Sequence, residues 1–203
     1  PLVDYLITPD KLSIDNLIKQ GAKKEKIIQF NGFKEDVYIA DYQPSSDFLS
    51  NLPFNEFVTV RAEALMNIYN SGKSRSIVPY LFKLLSDEGI NILFLPRYDS
   101  DVNYAKGFDN IFIPPEPING LDACYHSKAV LTGAGTFARE AACMGTPAVS
   151  FFPGNKLLAV DEYMVSKGKM FHSRVPEEIL DYILNSKHVK PNLERSKKVK
   201  ESV

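Results

Sequence analysis

Short apolar runs alternate with longer segments of helical period along most of the chain. The runs are rich in Val, Ile, Leu and Phe and lack strict polar alternation, which is typical of parallel strands that helices cover on both faces. The predicted strands are residues 4–9, 26–30, 56–63, 90–97, 110–115, 129–133 and 147–152. The predicted helices are residues 9–21, 74–89, 101–108, 119–128, 136–145, 157–168 and 175–187. This pattern predicts an α/β protein with a Rossmann-like, doubly wound parallel sheet.

The same pattern divides the chain into four parts. We expect residues 54–187 to form the Rossmann-like domain and residues 33–53, which have weak periodicity and a Pro-Ser-Ser stretch, to form a linker. Residues 1–32 are interpreted as the tail of a preceding N-terminal domain, because a strand begins within a few residues of the start and no initiator Met is present. Residues 188–203 are predicted to be a C-terminal tail or a crossover helix.

Charge and cysteine content argue against several function classes. The 24 Lys and Arg residues nearly balance the 25 Asp and Glu residues, so the net charge is −1. This gives no general attraction to nucleic acid or to an anionic membrane, and no apolar stretch reaches the roughly 18 residues of a membrane span. Cys124 and Cys143 lack metal or disulfide spacing and are predicted to be small buried side chains. We expect a cytoplasmic protein.

The most informative segment is Val130–Gly154, VLTGAGTFAREAACMGTPAVSFFPG. In it a buried strand passes into a helix through a glycine-rich turn. A turn without large side chains lets backbone N–H groups approach a ligand, and the N-terminus of the next helix adds unpaired donors and the positive end of its dipole. Gly133, Ala134, Gly135 and Thr136, called here the glycine turn, are therefore predicted to bind a phosphate or diphosphate.

Two other phosphate-binding motifs fit the sequence less well. Residues 133–138 match G-x-G-x-x-G/A, but a dinucleotide site needs this motif at the first strand–helix turn of its domain and an acidic residue ending the next strand. Several strand–helix units precede this turn, and the next strand ends in Pro153-Gly154. Residues 72–74, Gly-Lys-Ser, lack the upstream glycine of a P-loop, because Asn67 stands in its place. An NAD-linked oxidoreductase therefore stays a minor alternative.

Four charged residues could contribute to such a site. Glu140 lies one helical turn after Thr136, where a carboxylate can accept two hydrogen bonds from a ribose diol; alternatively, it stabilises the helix N-terminus or pairs with Arg139. Arg61 and Arg97 end two apolar strands, so both guanidinium groups are expected at the carboxyl edge of the sheet. There they could stabilise the charge of a diphosphate, or they could instead serve packing or be solvated at the surface. Arg139 is predicted to be an ion-pair partner.

The remaining chemically active residue types are predicted to be structural. His126, His172 and His188 have no nucleophile or carboxylate at a recognisable catalytic spacing. Asp99 and Asp101 are typical turn residues, and no further metal ligands accompany them. We therefore predict no metal site.

Three segments resemble the GT-B superfamily, which includes glycosyltransferases and non-hydrolysing UDP-N-acetylglucosamine 2-epimerases. They are Val130–Gly154, residues 31–36 (NGFKED) and residues 57–64 (FVTVRAEA). Within the superfamily, the chain is most similar to an uncharacterised family of archaeal and bacterial GT-B-like proteins. The resemblance implies that the chain is mainly the C-terminal, nucleotide-binding domain of a GT-B fold.

The resemblance also implies a role for each site residue. The glycine turn would bind the diphosphate, Glu140 the ribose, and Arg61 the leaving diphosphate, while the strand around Ile113 would contact the base through backbone groups. The implied ligand is a nucleotide sugar, UDP-linked, which is a substrate and not a cofactor.

The implied function is that of the donor domain of a GT-B-type glycosyltransferase. A UDP-sugar 2-epimerase and a non-catalytic nucleotide-sugar binding module are alternatives. Epimerases of the superfamily carry Ser-Gly-Gly where this chain has Ala134-Gly135-Thr136, and an Arg-rich segment where it has FFPGNK. Because the superfamily places most acid–base residues in its N-terminal domain, the resemblance assigns no catalytic residue here and implies that the chain alone is incomplete for catalysis.

Overall fold

Six parallel strands form the main sheet of the computed structural model, which describes residues 3–65, 75–187 and 189–203. The strands of the protein are β1 (Leu6–Pro9), β2 (Ile27–Phe30), β3 (Val58–Arg61), β4 (Ile92–Leu95), β5 (Ile111–Phe112), β6 (Val130–Thr132), β7 (Ala148–Ser150) and β8 (Phe171–His172). The helices are α1 (Ile14–Lys19), α2 (Lys34–Ile39), α3 (Val78–Asp87), α4 (Gly120–His126), α5 (Gly135–Met144), α6 (Ala159–Ser166), α7 (Pro176–Asn185) and α8 (Glu194–Glu201).

The strand order of the main sheet is β5-β4-β3-β6-β7-β8, and every neighbouring pair is parallel. Within this sheet the chain therefore begins at the central strand β3 and continues outward through β4 to β5. It then returns to the centre with β6 and continues outward through β7 to β8. Such a reversal leaves a crevice outside the carboxyl ends of the two central strands, where ligands of open α/β sheets bind. The predicted α/β, Rossmann-like doubly wound fold is confirmed.

Alternating strand residues supply two hydrophobic cores, one on each face of the sheet. On one face Val60 and Phe94 pack with α3 and α7. On the other face Leu93 and Val130 pack with α2, α4, α5 and α6. Residues of the central strands are almost completely buried because both faces are covered, which explains their continuous apolar runs.

The segment predicted as a linker, residues 33–53, contributes directly to the second of these cores. It contains α2, and its Phe33, Ile39, Tyr42 and Phe48 are buried in the same cluster as α5. Helix α8 packs against α2 and returns the end of the chain to this region. The four-part division stays a prediction, but residues 33–53 are packed structure and not an extended connector.

Some local predictions differ from the structure. Strand β8 was not predicted, because only two residues of it pair with β7. Residues 99–105 form a 3₁₀ helix where a helix over residues 101–108 was predicted, and the Asp101 carboxylate stabilises its start by accepting from the backbone N–H of Tyr98. Residues 72–74 and His188 lie outside the described residues. Among the described helices, none is long and apolar enough to cross a membrane.

Candidate functional site

A cavity of about 970 Å³ lies at the carboxyl edge of the main sheet. Its wall is formed by the segments that follow β3, β4, β5, β6 and β7. All seven residues that were predicted to bind the nucleotide line it: Arg61, Ile113, Gly133, Ala134, Gly135, Thr136 and Glu140. The structure therefore brings the predicted residues together in one cavity, and their role in binding stays a prediction.

The glycine turn presents the N-terminus of α5 to this cavity. Gly133 donates its N–H to the Arg61 carbonyl (3.2 Å), and Ala134 donates to the Thr132 hydroxyl (2.9 Å). Ala134 precedes the helix and supplies no side-chain cap. The N–H groups of the first turn therefore have no acceptor inside the helix, and they face the cavity together with the positive end of the helix dipole.

Close packing, and not a left-handed backbone, explains both glycines of this turn. Neither has a positive φ. A Cβ atom on Gly133 would lie 2.6 Å from the Cα of Glu63, and a Cβ on Gly135 would lie 2.8 Å from Nη1 of Arg139. Gly133 can thus lie against the residues that follow β3, and Gly135 against Arg139, only because neither carries a side chain.

Arg61 and Arg97 form a cationic wall beside the glycine turn. Both line the cavity, and among the described residues neither guanidinium has a carboxylate within ion-pair distance. The Nε of Arg97 is buried with no hydrogen-bond partner in the described part of the chain. Burial lowers the pKa of Arg61, and the charge of Arg97 lowers it further. The nearby Glu140 carboxylate partly offsets this lowering of the Arg61 pKa, and two neighbouring guanidinium groups without an ion-pair partner favour binding of a further anion.

Arg139 also lines the cavity, but each of its three guanidinium nitrogens donates to a residue of the protein. Its Nε donates to Glu35 (2.7 Å), its Nη1 to Asp161 (2.8 Å) and its Nη2 to the Thr136 hydroxyl (3.1 Å). Both carboxylates are almost completely buried. The predicted ion-pair role of Arg139 is confirmed, and the pair joins α5 to α2 and α6.

Glu140 faces the cavity and binds a residue that the sequence did not indicate. Its Oε1 accepts a hydrogen bond of 2.7 Å from the hydroxyl of Tyr38 on α2. The alternative of an ion pair with Arg139 is not formed in the structure. Burial raises the pKa of Glu140, while the Tyr38 hydrogen bond lowers it. The half-buried Glu140 carboxylate is thus a hydrogen-bond acceptor that Tyr38 holds in place at the rim of the cavity.

Two residues of this region were missed by sequence reasoning. The Glu63 carboxylate accepts from Ser76 (2.6 Å), from the backbone N–H of Ile77 (3.0 Å) and from Arg174 (3.3 Å), so it holds the start of α3 behind the glycine turn. Tyr38 lies 102 residues before its partner. Glu63 stood within the FVTVRAEA segment and could have been noticed, whereas no sequence pattern joins Tyr38 to Glu140.

The surroundings of the described histidines, His126 and His172, and of both cysteines agree with the structural roles predicted for them. The ring of His126 stacks on Phe48 at 5.2 Å, and Nδ1 of His172 lies 2.8 Å from the Ser150 carbonyl. Cys124 and Cys143 are free and buried, as predicted. Within the described residues, no group of three or more His, Cys, Asp or Glu side chains could hold a metal ion.

Comparison with known proteins places the chain in a family. The family model described as "Protein of unknown function (DUF354)" matches residues 1–202. The chain belongs to the DUF354 family. This DUF354 chain is 27% identical over 190 residues to an uncharacterized protein of Methanocaldococcus jannaschii. The match covers 90% of the chain but 54% of that protein, so the chain spans about half the length of this relative.

Solved structures share the fold of the DUF354 chain. The UDP-GlcNAc 2-epimerase of Methanocaldococcus jannaschii is similar with a TM-score of 0.67 and 17% identity, over 97% of this chain and 60% of the epimerase. The same epimerase in complex with UDP-GlcNAc and UDP has a TM-score of 0.63 and 17% identity, over 97% and 59%. The calicheamicin glycosyltransferase CalG4 has a TM-score of 0.54 and 15% identity, over 100% and 49%. These likenesses show that the chain shares the fold of these proteins.

Proposed function

We propose that this DUF354 chain binds a nucleoside-diphosphate sugar, UDP-linked, as the donor domain of a GT-B-type glycosyltransferase. The observation that carries the proposal is the pairing of the uncapped N-terminus of α5 with two unpaired guanidinium groups, those of Arg61 and Arg97, in one cavity. A diphosphate matches both features, because it accepts backbone N–H bonds and compensates the arginine charges. The complexes of structural neighbours with UDP-GlcNAc and UDP support this choice of ligand.

The remaining cavity residues fit the rest of such a ligand. Glu140 offers a carboxylate one helical turn beyond the diphosphate position, suited to the two hydroxyl groups of a ribose. The segment from Ile113 to Ile118 forms an apolar, proline-rich wall that suits the face of a base. During sugar transfer the nucleoside diphosphate would leave with an added negative charge. The helix N-terminus and Arg61 would stabilise that charge more strongly in the transition state than in the bound donor.

A nucleotide-sugar binding module without catalysis is the second candidate. None of the cavity-lining residues that the structure describes is a histidine, and the lining carboxylates are those of Asp99, Glu116 and Glu140. With Glu140 assigned to the ribose, Asp99 and Glu116 are the carboxylates that remain among the described lining residues, and no further observation assigns either as a general base. A module of this kind would bind UDP-sugars without turnover, even when joined to the remaining length that its relatives have. The fold alone does not separate transfer from 2-epimerisation, and the sequence of the glycine turn favours transfer.

Calorimetric titration of the 203-residue chain with UDP, UDP-GlcNAc, GDP, CDP and NAD tests the proposal. We expect UDP and UDP-GlcNAc to bind and NAD not to bind. Glu140→Ala should weaken UDP binding by about tenfold or more, because it removes a charged hydrogen-bond acceptor. Glu162→Ala removes an exposed carboxylate of α6 outside the cavity and should leave affinity unchanged. Failure of every nucleoside diphosphate to bind a well-folded sample would refute the proposal.

A further inference from the structure

Helix α2 holds α5 through two neighbouring residues that face different surroundings. Glu35 and Tyr38 are three positions apart on α2 and therefore lie on one face of that helix. Glu35 binds Arg139, and Tyr38 binds Glu140, each at 2.7 Å. The helix that contributes both contacts precedes the main sheet in the chain, so a part of the molecule outside the Rossmann-like sheet reaches the rim of the cavity.

The Tyr38 contact leaves room for a ligand. Glu140 lines the cavity, whereas Tyr38 is not among the cavity-lining residues. The Tyr38 hydroxyl therefore donates to Oε1 of Glu140 from outside the cavity. Among the described residues, Oε2 of Glu140 has no hydrogen-bond donor. One oxygen is thus held by the protein, and the other is free to accept.

We propose that Tyr38 is a positioning residue for nucleotide binding, whose hydroxyl fixes the Glu140 carboxylate so that its free oxygen accepts from the ribose hydroxyls. This inference rests on the proposed function. An unrestrained glutamate loses rotamer freedom when it binds, and a side chain that is already held loses less, so a second hydrogen bond raises affinity by preorganisation. The selectivity of the site for ribose over deoxyribose therefore depends on α2.

The Tyr38→Phe variant removes only this hydroxyl. The ring of Tyr38 is partly exposed at 38% and stays in place as phenylalanine, so folding is expected to be retained. We would titrate the full 203-residue chain with UDP and with 2′-deoxy-UDP. The ratio of the two dissociation constants measures the hydrogen bond to the 2′-hydroxyl, which a general loss of stability would not change.

We expect the unaltered chain to prefer UDP over 2′-deoxy-UDP by about tenfold, the value of a hydrogen bond to a charged group. Glu140→Ala should abolish this preference. Tyr38→Phe should reduce it to about threefold, because UDP binding is weakened more than 2′-deoxy-UDP binding and preorganisation supplies only part of the bond.

Tyr42→Phe is the matched control. The Tyr42 hydroxyl also donates to a carboxylate, that of Asp122, but neither residue lines the cavity. This variant should keep the full preference for UDP. If Tyr38→Phe also kept it, or bound UDP more tightly than the unaltered chain, the positioning role would be overturned and Tyr38 would be a bystander or a competitor of the ligand.

The two proposals fail in different ways. No binding of UDP to the unaltered chain refutes the proposed function. Binding of UDP with a ribose preference that Glu140→Ala abolishes and Tyr38→Phe leaves intact refutes only the role of Tyr38.

Discussion

Two arginine environments line the same cavity and have opposite character. In the Arg139 centre, formed by Arg139 with Glu35 and Asp161, each guanidinium nitrogen has a hydrogen-bond partner, and both carboxylates are buried. The cationic wall of Arg61 and Arg97 has no carboxylate partner in the described part of the chain. The first guanidinium is paired with two carboxylates, whereas neither guanidinium of the second environment has an ion-pair partner among the described residues.

This difference in ion pairing distinguishes a structural arginine from a candidate ligand-binding arginine more clearly than their positions in the sequence do. Arg139 belongs to the segment with the strongest resemblance to the GT-B superfamily, yet its charge is used to join α5 to α2 and α6. A buried cation with two buried anions cannot be removed without leaving uncompensated charge. An unpaired cation at a cavity contributes little to folding, and its position beside the glycine turn favours a ligand role.

The largest expected effect is a loss of stability when Arg139, the arginine paired with two carboxylates, is replaced. Arg139→Met should lower the free energy of unfolding by about 3–5 kcal/mol, because it leaves Glu35 and Asp161 buried without a cation. Urea denaturation followed by circular dichroism measures this loss. Lys83→Met breaks the exposed pair with Asp87 and should leave the free energy of unfolding nearly unchanged, because solvent screens this pair. Equal losses in the two variants would contradict the structural role of the Arg139 centre.

Removal of Arg61, which has no ion-pair partner among the described residues, should affect ligand binding more than stability. Arg61→Met is expected to weaken UDP binding by about 10- to 100-fold, the equivalent of roughly 1.5–3 kcal/mol. The free energy of unfolding should change by less than about 1 kcal/mol, since the variant loses one contact with the Phe137 ring and no ion pair. Titration calorimetry and urea denaturation measure the two quantities.

Lys19→Met is the charge control for Arg61→Met, because it removes an exposed cation of α1. It should leave UDP affinity unchanged. A loss of stability in Arg61→Met without a loss of affinity would assign Arg61 to packing.

Gly133→Ala tests whether the glycine turn is shaped by packing. The added Cβ would meet the backbone of Glu63 at 2.6 Å, so we expect a loss of about 1–3 kcal/mol in the free energy of unfolding. Gly120→Ala adds a methyl group beside the same cavity, where it meets only the edge of the Phe137 ring at 3.3 Å. Its stability should stay within about 0.5 kcal/mol of the unaltered chain, and thermal unfolding of both variants would show the contrast.

The smallest expected effect is the pH dependence that Glu140 confers. The ribose needs the ionised carboxylate as acceptor, and burial raises the pKa of Glu140. Affinity for UDP-GlcNAc, whose diphosphate does not titrate in this range, should therefore be constant near neutral pH. It should fall a fewfold at acidic pH, beginning at a higher pH than an ordinary glutamate near 4.3 would require.

Glu140→Gln is the control for this pH dependence, because it keeps the shape of the side chain and cannot titrate. Its affinity should be lower than that of the unaltered chain and independent of pH over the same range. A fall in affinity that persisted in this variant would assign the titration to another group.

Much of the fold was predictable because the apolar strands and amphipathic helices are local signals. The glycine turn and the two arginines could be placed at one edge of the sheet from sequence alone, since parallel strands bring their carboxyl ends together. By contrast, β8 was missed because two paired residues give no periodicity, and the packed character of residues 33–53 was missed because α2 spans only six residues.

The sequence by itself determined the fold class, the carboxyl edge as the place of the candidate site, and seven residues that line the cavity. Only the tertiary structure decided which arginine is paired, why Gly133 has no side chain, and that Tyr38 reaches Glu140. These facts depend on contacts across about 70 to 100 residues of chain, set by how helices pack on the sheet. Local periodicity determines which face of a helix is buried, but the partner that covers that face is chosen by the packing of the whole chain.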